Sequence, residues 1–366
     1  MSVIRASVVV PTCNQADRLR LVLCGLEGQT LPAGDFEVVV VDDGSTDHTV
    51  GVLAASGLTN LRVLRCPVNR GRSHARNLGL EEARGDLVVF LDGDALPAPD
   101  LLESYCRAHA LTNGRGVLCG FQWSLPGVEY LQDPQDGRAA IDEAPSVLKD
   151  YLALHTCEVA ITTSMVRSDF ARVRSRAREG GYPFPESAAR QRQARQLLAQ
   201  VPDARLGWLA FVPHNGAASR ALLAQAGGFD TGIPFSEGWE LACRLGGERD
   251  ARCVPVDAET FHLYHRHAFG DGPEAARREA GLRYGAIEHM VAKHADSRIR
   301  ILHFWFASLW RDSLMPDELL VRDLVELDRQ YRELPDGQWA ERERVLRHHP
   351  SISPFLQTEV TYGTCA

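Results

Sequence analysis

The chain has 366 residues, 45% of them hydrophobic and 24% charged, with a formal net charge of -8. This is ordinary globular composition, long enough to bury a sizeable core, and its acidic balance argues against a nucleic-acid partner. The nine cysteines are odd in number, widely spaced and without a C-x-x-C, which excludes a disulfide framework or a zinc site and fits reduced thiols. Arg5 leads into a short strand and not a long apolar region, and no run approaches the roughly 18 apolar residues of a membrane span. A cytoplasmic protein is expected, with membrane-surface contact open but not expected.

In chain order, "SVVVP" (7–11) reads as a buried strand and 16–28 as a helix ending near a glycine. "FEVVVVDDGS" (36–45) is a second strand ending in carboxylates, with Ser45 or Asp47 as cap of the next helix. "LRVLRC" (61–66) is a third strand, 73–85 a helix closed by Gly85, "DLVVFLDGD" (86–94) a fourth strand and 116–123 a fifth. Apolar strands alternating with helices predict an α/β fold with a Rossmann-like, mainly parallel sheet covered on both faces. Its ligand crevice is expected at the carboxyl ends of the strands.

Residues 124 to 207 carry mixed signals. The piece 167–196 holds eight arginines against three acids and reads as a mobile, solvated excursion. From 208 the expected elements are a strand "WLAFV", a helix "ALLAQAG", a helix "SEGWELACRLG" and strands "RCVPV" and "TFHLYH". Asp-Gly-Pro at 271–273 opens a tail of amphipathic helices, in which "RILHFWFASLW" (300–310) is expected to dock onto the core. Boundaries are soft; the division is 1–123, 124–270 and 271–366, the last a helical extension.

The chemistry gathers at strand ends. Asp92 and Asp94 flank Gly93, and in extended backbone residues two apart share a face. Two adjacent carboxylates call for a cation such as Mg²⁺ or Mn²⁺; the plainer reading is a solvated Asp-Gly turn. Asp42, Asp43 and Asp47 end another strand, Pro11, Thr12 and Asn14 end the first, and Arg70, Arg72 and Arg76 mark a strand-to-helix junction suited to anions. Neither G-x-x-x-x-G-K-[ST] nor a G-x-G-x-x-G after strand one is present, so a phosphate-rich ligand would need metal and arginine.

Four stretches, "SVVVPTCNQADRL", "VVVVDDGSTDHT", "NRGRSHARNLGLEEARGDLVVFLDGD" and "HNGAASRALLAQAGGFD", together resemble family 2 glycosyltransferases with the A-type nucleotide-sugar-binding fold. The resemblance covers residues 5 to 125 and 208 to 267. It implies a donor site of Pro11, Thr12, Asn14, Asp42, Asp43, Arg70, Arg76, Asp92, Gly93 and Trp239. It also implies a Mn²⁺ or Mg²⁺ ion at Asp92, Asp94 and His262. A nucleoside-diphosphate sugar, UDP-sugar favoured, is then the expected donor, with transfer to a hydroxyl acceptor and inversion.

The family's Glu-Asp pair reads Glu237-Gly238 here, a departure that weakens the assignment of the base. Glu237 is the expected general base, with Gly238 giving room for substrate, and Glu240 is the alternative one turn on. Trp239 is a candidate to stack on a sugar ring, with core packing as the plainer fate. Two other readings stand beside this one. A sugar-1-phosphate nucleotidyltransferase should show a glycine-rich loop that "PTCNQADRL" lacks. A catalytically silent nucleotide-binding partner is suggested by Gly238.

Overall fold

The computed structural model describes residues 4–125, 131–133, 138–139, 161–180, 185–233, 235–249, 251–263, 273–310, 315–350 and 352–353. Its first strand, β1 (Ala6–Thr12), is buried along its whole length, as is β2 (Phe36–Asp43). Alternate residues serve opposite layers, as strand geometry requires. Val8, Val10, Val38 and Val40 join the core that holds helix α1 (Ala16–Glu27). Val9 joins the core on the other face. Between them lie α2 (Thr49–Ala54) and β3 (Leu61–Cys66), followed by α3 (Arg72–Glu82), β4 (Leu87–Leu91), β5 (Ala95–Pro97), α4 (Leu101–Leu111) and β6 (Gly116–Leu125). Helix α3 lies close on β1 because residue 79 is glycine: a Cβ there would come 2.3 Å from Val9 Cγ1.

A short pair, β7 (Leu131–Asp133) and β8 (Arg138–Ala139), forms a separate hairpin. Helices α5 (Thr163–Ser168) and α6 (Phe170–Ser175), strand β9 (Arg178–Glu179) and α7 (Pro185–Gln200) come next. Then follow β10 (Asn215–Ser219), α8 (Arg220–Ala226), α9 (Glu237–Arg249) and β11 (Arg252–Leu263). The tail contributes α10 (Pro273–His294), α11 (Leu302–Trp310), α12 (Leu324–Glu333) and α13 (Asp336–His348).

The main sheet runs β3-β2-β1-β4-β10-β6-β11-β5, with β9 beside β6. Strands β3, β2, β1 and β4 are mutually parallel, and β6 is parallel to β11. β10 runs antiparallel to both β4 and β6, and β5 antiparallel to β11. The α/β class and the run of parallel strands in the first part of the chain are as the sequence implies.

Three local expectations differ. Residues 207–210, Gly207 with the first three of "WLAFV", form a 3₁₀ turn with Trp208 and Leu209 buried, and the strand lies at Asn215–Ser219. Asn215 fixes that strand: its Nδ2 donates to the Phe121 and Ala258 carbonyls at 2.9 Å each, and its Oδ1 accepts from Tyr105 Oη at 2.7 Å. The two strands expected from 252 are one, β11, with a register shift between Pro255 and Glu259; residues 264 and 265 lie outside the described residues. Helix α3 stops at Glu82, since Ala83 turns to extended backbone and Gly85 lies against the Ala6–Ser7 backbone.

Among its described residues, the arginine-rich segment makes ion pairs, three of them to residues outside it, with the arginine side chains partly exposed. Arg167 pairs with Glu27 at 3.1 Å and Arg195 with Asp257 at 3.3 Å, while Arg174 pairs with Glu259 and Arg192 with Glu179. The helices after 273 share the sheet's core: Tyr284, Met290, Phe304, Trp305 and Phe306 belong to the same buried cluster as Val9, Phe90 and Val117. The aromatic piece 300–310 therefore docks inward, as expected. Among the described residues no helix is long and apolar enough to cross a membrane.

Candidate active site

Strand β4 ends at Leu91, and the chain then turns, with the Ala95 N–H donating to the Asp92 carbonyl at 3.0 Å. The D-G-D stretch is thus a tight turn and not extended strand, so the same-face argument for Asp92 and Asp94 fails. Gly93 lies close to its neighbours: a Cβ would stand 2.5 Å from Gln15 Nε2, which can swing away, and 3.3 Å from Thr12 Oγ1. The two acids have different company. After the turn β5 pairs with β11, setting His262 opposite Ala95, and the Leu263 N–H donates to the Asp94 carbonyl at 2.8 Å. This brings His262 Nε2 to 3.9 Å from Asp94 Oδ2.

Asp92 faces Arg76 instead. Arg76 is 1% exposed and donates from Nη2 to Asp92 Oδ1 and from Nη1 to Glu237 Oε1, both at 2.6 Å. Its guanidinium also lies 5.5 Å from the centre of the Phe229 ring. Burial pushes the Asp92 carboxyl upward, and Asp94 adds to this against the pull of Arg76. Glu237 begins α9 and is 5% exposed. Burial raises its carboxyl too, but Arg72 and Arg76 outweigh it and hold the group below the ordinary value. Gly238 is explained by packing: a Cβ would stand 2.4 Å from Pro213 Cδ. That space belongs to the protein, which corrects the expectation that it admits substrate.

At the end of β1, Thr12 Oγ1 is buried without a hydrogen-bond partner and Pro11 pairs in register with Val41. Asn14, at φ 52°, accepts at Oδ1 from the Thr46 N–H at 2.8 Å. Asp42 accepts from the Ser45 N–H at 2.9 Å and pairs with Arg65 at 3.3 Å. Asp43 accepts from the Arg70 and Gly71 N–H groups at 3.0 and 2.8 Å, which shapes the loop leading into α3 and leaves the Arg70 side chain exposed. Asp47, not Ser45, accepts from the Thr49 N–H at the start of α2. Asn14, Asp42 and Asp43 thus brace the loops at the strand ends, while the Thr12 hydroxyl is buried without a partner and the Arg70 side chain is exposed.

Two expected residues are not brought to this crevice. Glu240 is fully buried and bonded to Arg244 Nε at 2.7 Å and Lys293 Nζ at 3.0 Å, with His294 at 3.5 Å. Burial raises its carboxyl, but His294, Arg244 and Lys293 together pull it down to about 2. A carboxylate so held ties α9 to α10. Trp239 is 3% exposed and stacks on Phe306 at 5.8 Å with 21° between planes; a ring already covered by core offers no face to a sugar.

His214 is a residue the motifs did not single out. It precedes β10 directly, and Gln122 Nε2 lies 3.0 Å from its Nδ1. Burial, with His262 and Arg190 adding repulsion, lowers it to about 3, so its imidazole is neutral. Its position beside "NGAAS", which returns the chain to the centre of the sheet, was the available signal.

Can Asp94 and His262 hold a divalent cation? Oxygen or nitrogen donors lie about 2.0–2.3 Å from such an ion, so two donors on one ion stand roughly 3–4.5 Å apart. The observed 3.9 Å fits; the carboxylate suits Mn²⁺ or Mg²⁺, and the imidazole favours Mn²⁺ of the two. Among the described residues no cluster of three or more such donors occurs, which leaves other positions to ligand oxygens and water.

Residues 7–157 match the family model for Glycosyl transferase family 2. This segment is similar to the uncharacterized glycosyltransferase YfnE of Bacillus subtilis, 38% identical over 120 residues, covering 32% of this chain and 30% of that protein. It is also similar to the poly(ribitol-phosphate) beta-N-acetylglucosaminyltransferase TarS of Staphylococcus aureus, 40% identical over 90 residues, covering 24% of this chain and 16% of that protein. The chain therefore spans less than a third of the length of either relative. Among solved structures, the mannosyltransferase PcManGT from Pyrobaculum calidifontis, in complex with GDP-Man and Mn²⁺, aligns at TM-score 0.49 and 18% identity, over 96% of this chain and 84% of that chain.

Proposed function

We propose that the chain transfers a sugar from a nucleoside-diphosphate sugar to a hydroxyl acceptor, with inversion at the anomeric carbon. The observation that carries this reading is Glu237, a buried carboxylate joined through one guanidinium to Asp92 at the strand-end crevice. Inverting transfer needs a base near the acceptor hydroxyl, and a carboxylate kept ionised is one. Thr12 and Arg70 bind the nucleotide and its phosphates at the rim. Asp94 and His262 hold Mn²⁺ or Mg²⁺, which when bound offsets charge on the departing diphosphate.

The family match of residues 7–157 supports a nucleotide-sugar donor, and UDP-sugar remains the favoured class. The cysteines among the described residues are free, which supports a cytoplasmic site of action. The silent-protein alternative rested on Gly238, and packing against Pro213 gives that glycine a steric reason of its own. A thermal-shift screen of UDP-, GDP- and TDP-sugars with and without Mn²⁺ tests the reading. A ligand at 100 times its dissociation constant adds about 2.7 kcal/mol of stability. Stabilisation by one nucleotide class, greater with Mn²⁺, is expected; no response to any of them contradicts the proposal.

A further inference from the structure

His214 sits between two residues whose places are fixed. Pro213 packs against the start of α9, where a Cβ on Gly238 would stand 2.4 Å from its Cδ. Asn215 is tied to the Phe121 and Ala258 carbonyls and to Tyr105. The imidazole itself is half-buried, with Gln122 Nε2 at 3.0 Å from its Nδ1. Gln122 is held in turn. Gln191 Oε1 accepts from its N–H at 3.0 Å, Gln191 Nε2 donates to its carbonyl at 2.8 Å, and a Cβ on Gly180 would come 2.0 Å from that carbonyl oxygen.

A side-chain amide nitrogen only donates, so Nδ1 accepts and the ring proton belongs to Nε2. The described residues give that Nε2 no hydrogen-bond partner. His262, Asp94 and Arg76 are among the charged groups near enough to act on the ring. The ring therefore stands beside the stretch of crevice between the His262–Asp94 pair and Glu237, which Arg76 holds at 2.6 Å.

Resting on the function proposed above, we propose that His214 donates from Nε2 to a hydroxyl of the sugar being transferred, with Gln122 as the positioning residue that fixes this tautomer. A sugar whose diphosphate lies at Asp94 and His262, and whose anomeric carbon faces an acceptor at Glu237, passes this ring. A neutral donor there reads where one hydroxyl points, and a site built to bond a hydroxyl discriminates against the analogue that lacks it. His214 is thus a specificity residue for the sugar and not for the nucleotide.

The test uses the full chain with Mn²⁺ and isothermal titration of UDP-glucose, UDP-N-acetylglucosamine and GDP-mannose against UDP and GDP alone. His214→Ala should weaken the sugar nucleotide that binds the wild type best by about three- to tenfold, and leave its nucleotide within about twofold. With one of the monodeoxy analogues of that sugar nucleotide, His214→Ala should cost nothing further. Histidine ¹⁵N NMR of the wild type should show the His214 proton on Nε2. Gln122→Glu places an acceptor opposite Nδ1, so the proton should move there, and the ratio of sugar-nucleotide to nucleotide affinity should fall as in His214→Ala. If His214→Ala does not fold, Gln122→Glu carries the binding arm.

Equal losses for nucleotide and sugar nucleotide, a loss for neither, or a penalty that persists with every monodeoxy analogue would overturn the inference. A wild-type ring proton on Nδ1 would overturn it as well. A wild type that binds no nucleotide and no sugar nucleotide would overturn the proposed function and the ligand assigned to His214 together. The expected binding losses without any sugar transfer would overturn the proposed transfer alone, because the binding arms do not depend on turnover.

Discussion

Glu237 is where the residue-scale account meets solution chemistry. Its carboxyl is held below the ordinary value of 4.5, chiefly by Arg72 and Arg76 acting against burial. It is therefore ionised as a base at every pH above that value. The rate should show no acid limb from this group between about pH 5 and 7, as a pH profile of kcat/KM can check. Gly238 supplies a second prediction. Gly238→Asp would restore the family's acid pair, but its Cβ meets Pro213, so the variant should lose about 1–3 kcal/mol in denaturant unfolding and gain no activity. At this scale the placement of Thr12, Asp43 and Asp92 at one edge was legible, because parallel strand order alone brings the ends of their strands together. The sequence could not separate Asp92 from Asp94, since that depends on a turn and on two distant partners, Arg76 and His262. Nor could it place Glu240, whose direction is decided by Lys293 on a helix some fifty residues away.

At the scale of elements, Glu240 shows what ties α9 to α10. It is buried against Arg244 and Lys293, and Glu240→Gln should destabilise the fold by about 3–5 kcal/mol, read as a lower Tm. Its pKa falls from 4.5 to about 2 in the fold. The sign follows from linkage: the depressed group contributes stability that is complete above about pH 4.5 and disappears as pH falls toward 2. The Gln variant should therefore lose part of the wild type's sensitivity to acid over that interval. Valine-rich strands β1, β2 and β4 were legible because fully buried parallel strands are apolar on both faces. β10 was not, because its Asn-Gly-Ala-Ala-Ser is small and polar; its place depends on Asn215 bonding to carbonyls of two other strands. "WLAFV", more strand-like by composition, is instead core filling in a 3₁₀ turn.

For the whole molecule, the tail helices complete the core and are not an appendage. Trp305 is fully buried, donates from Nε1 to Gln193 Oε1 at 2.8 Å, and thereby joins α11 to α7. Trp305→Ala should cost about 3–5 kcal/mol, measurable by chemical denaturation, although the residue is not placed in the crevice. The segment 300–310 betrayed its burial through its run of aromatics, but nothing in its spacing said that it would stack on Trp239. Both layers converge on α9, which carries Glu237 on the crevice side and Trp239 on the core side. The most direct test of the account is the Glu237→Gln variant, assayed with the nucleotide sugar that stabilises the wild type. Donor binding should be retained while transfer falls by about 10²–10⁴-fold; full transfer activity in that variant would contradict the assignment of the base and the mechanism built on it.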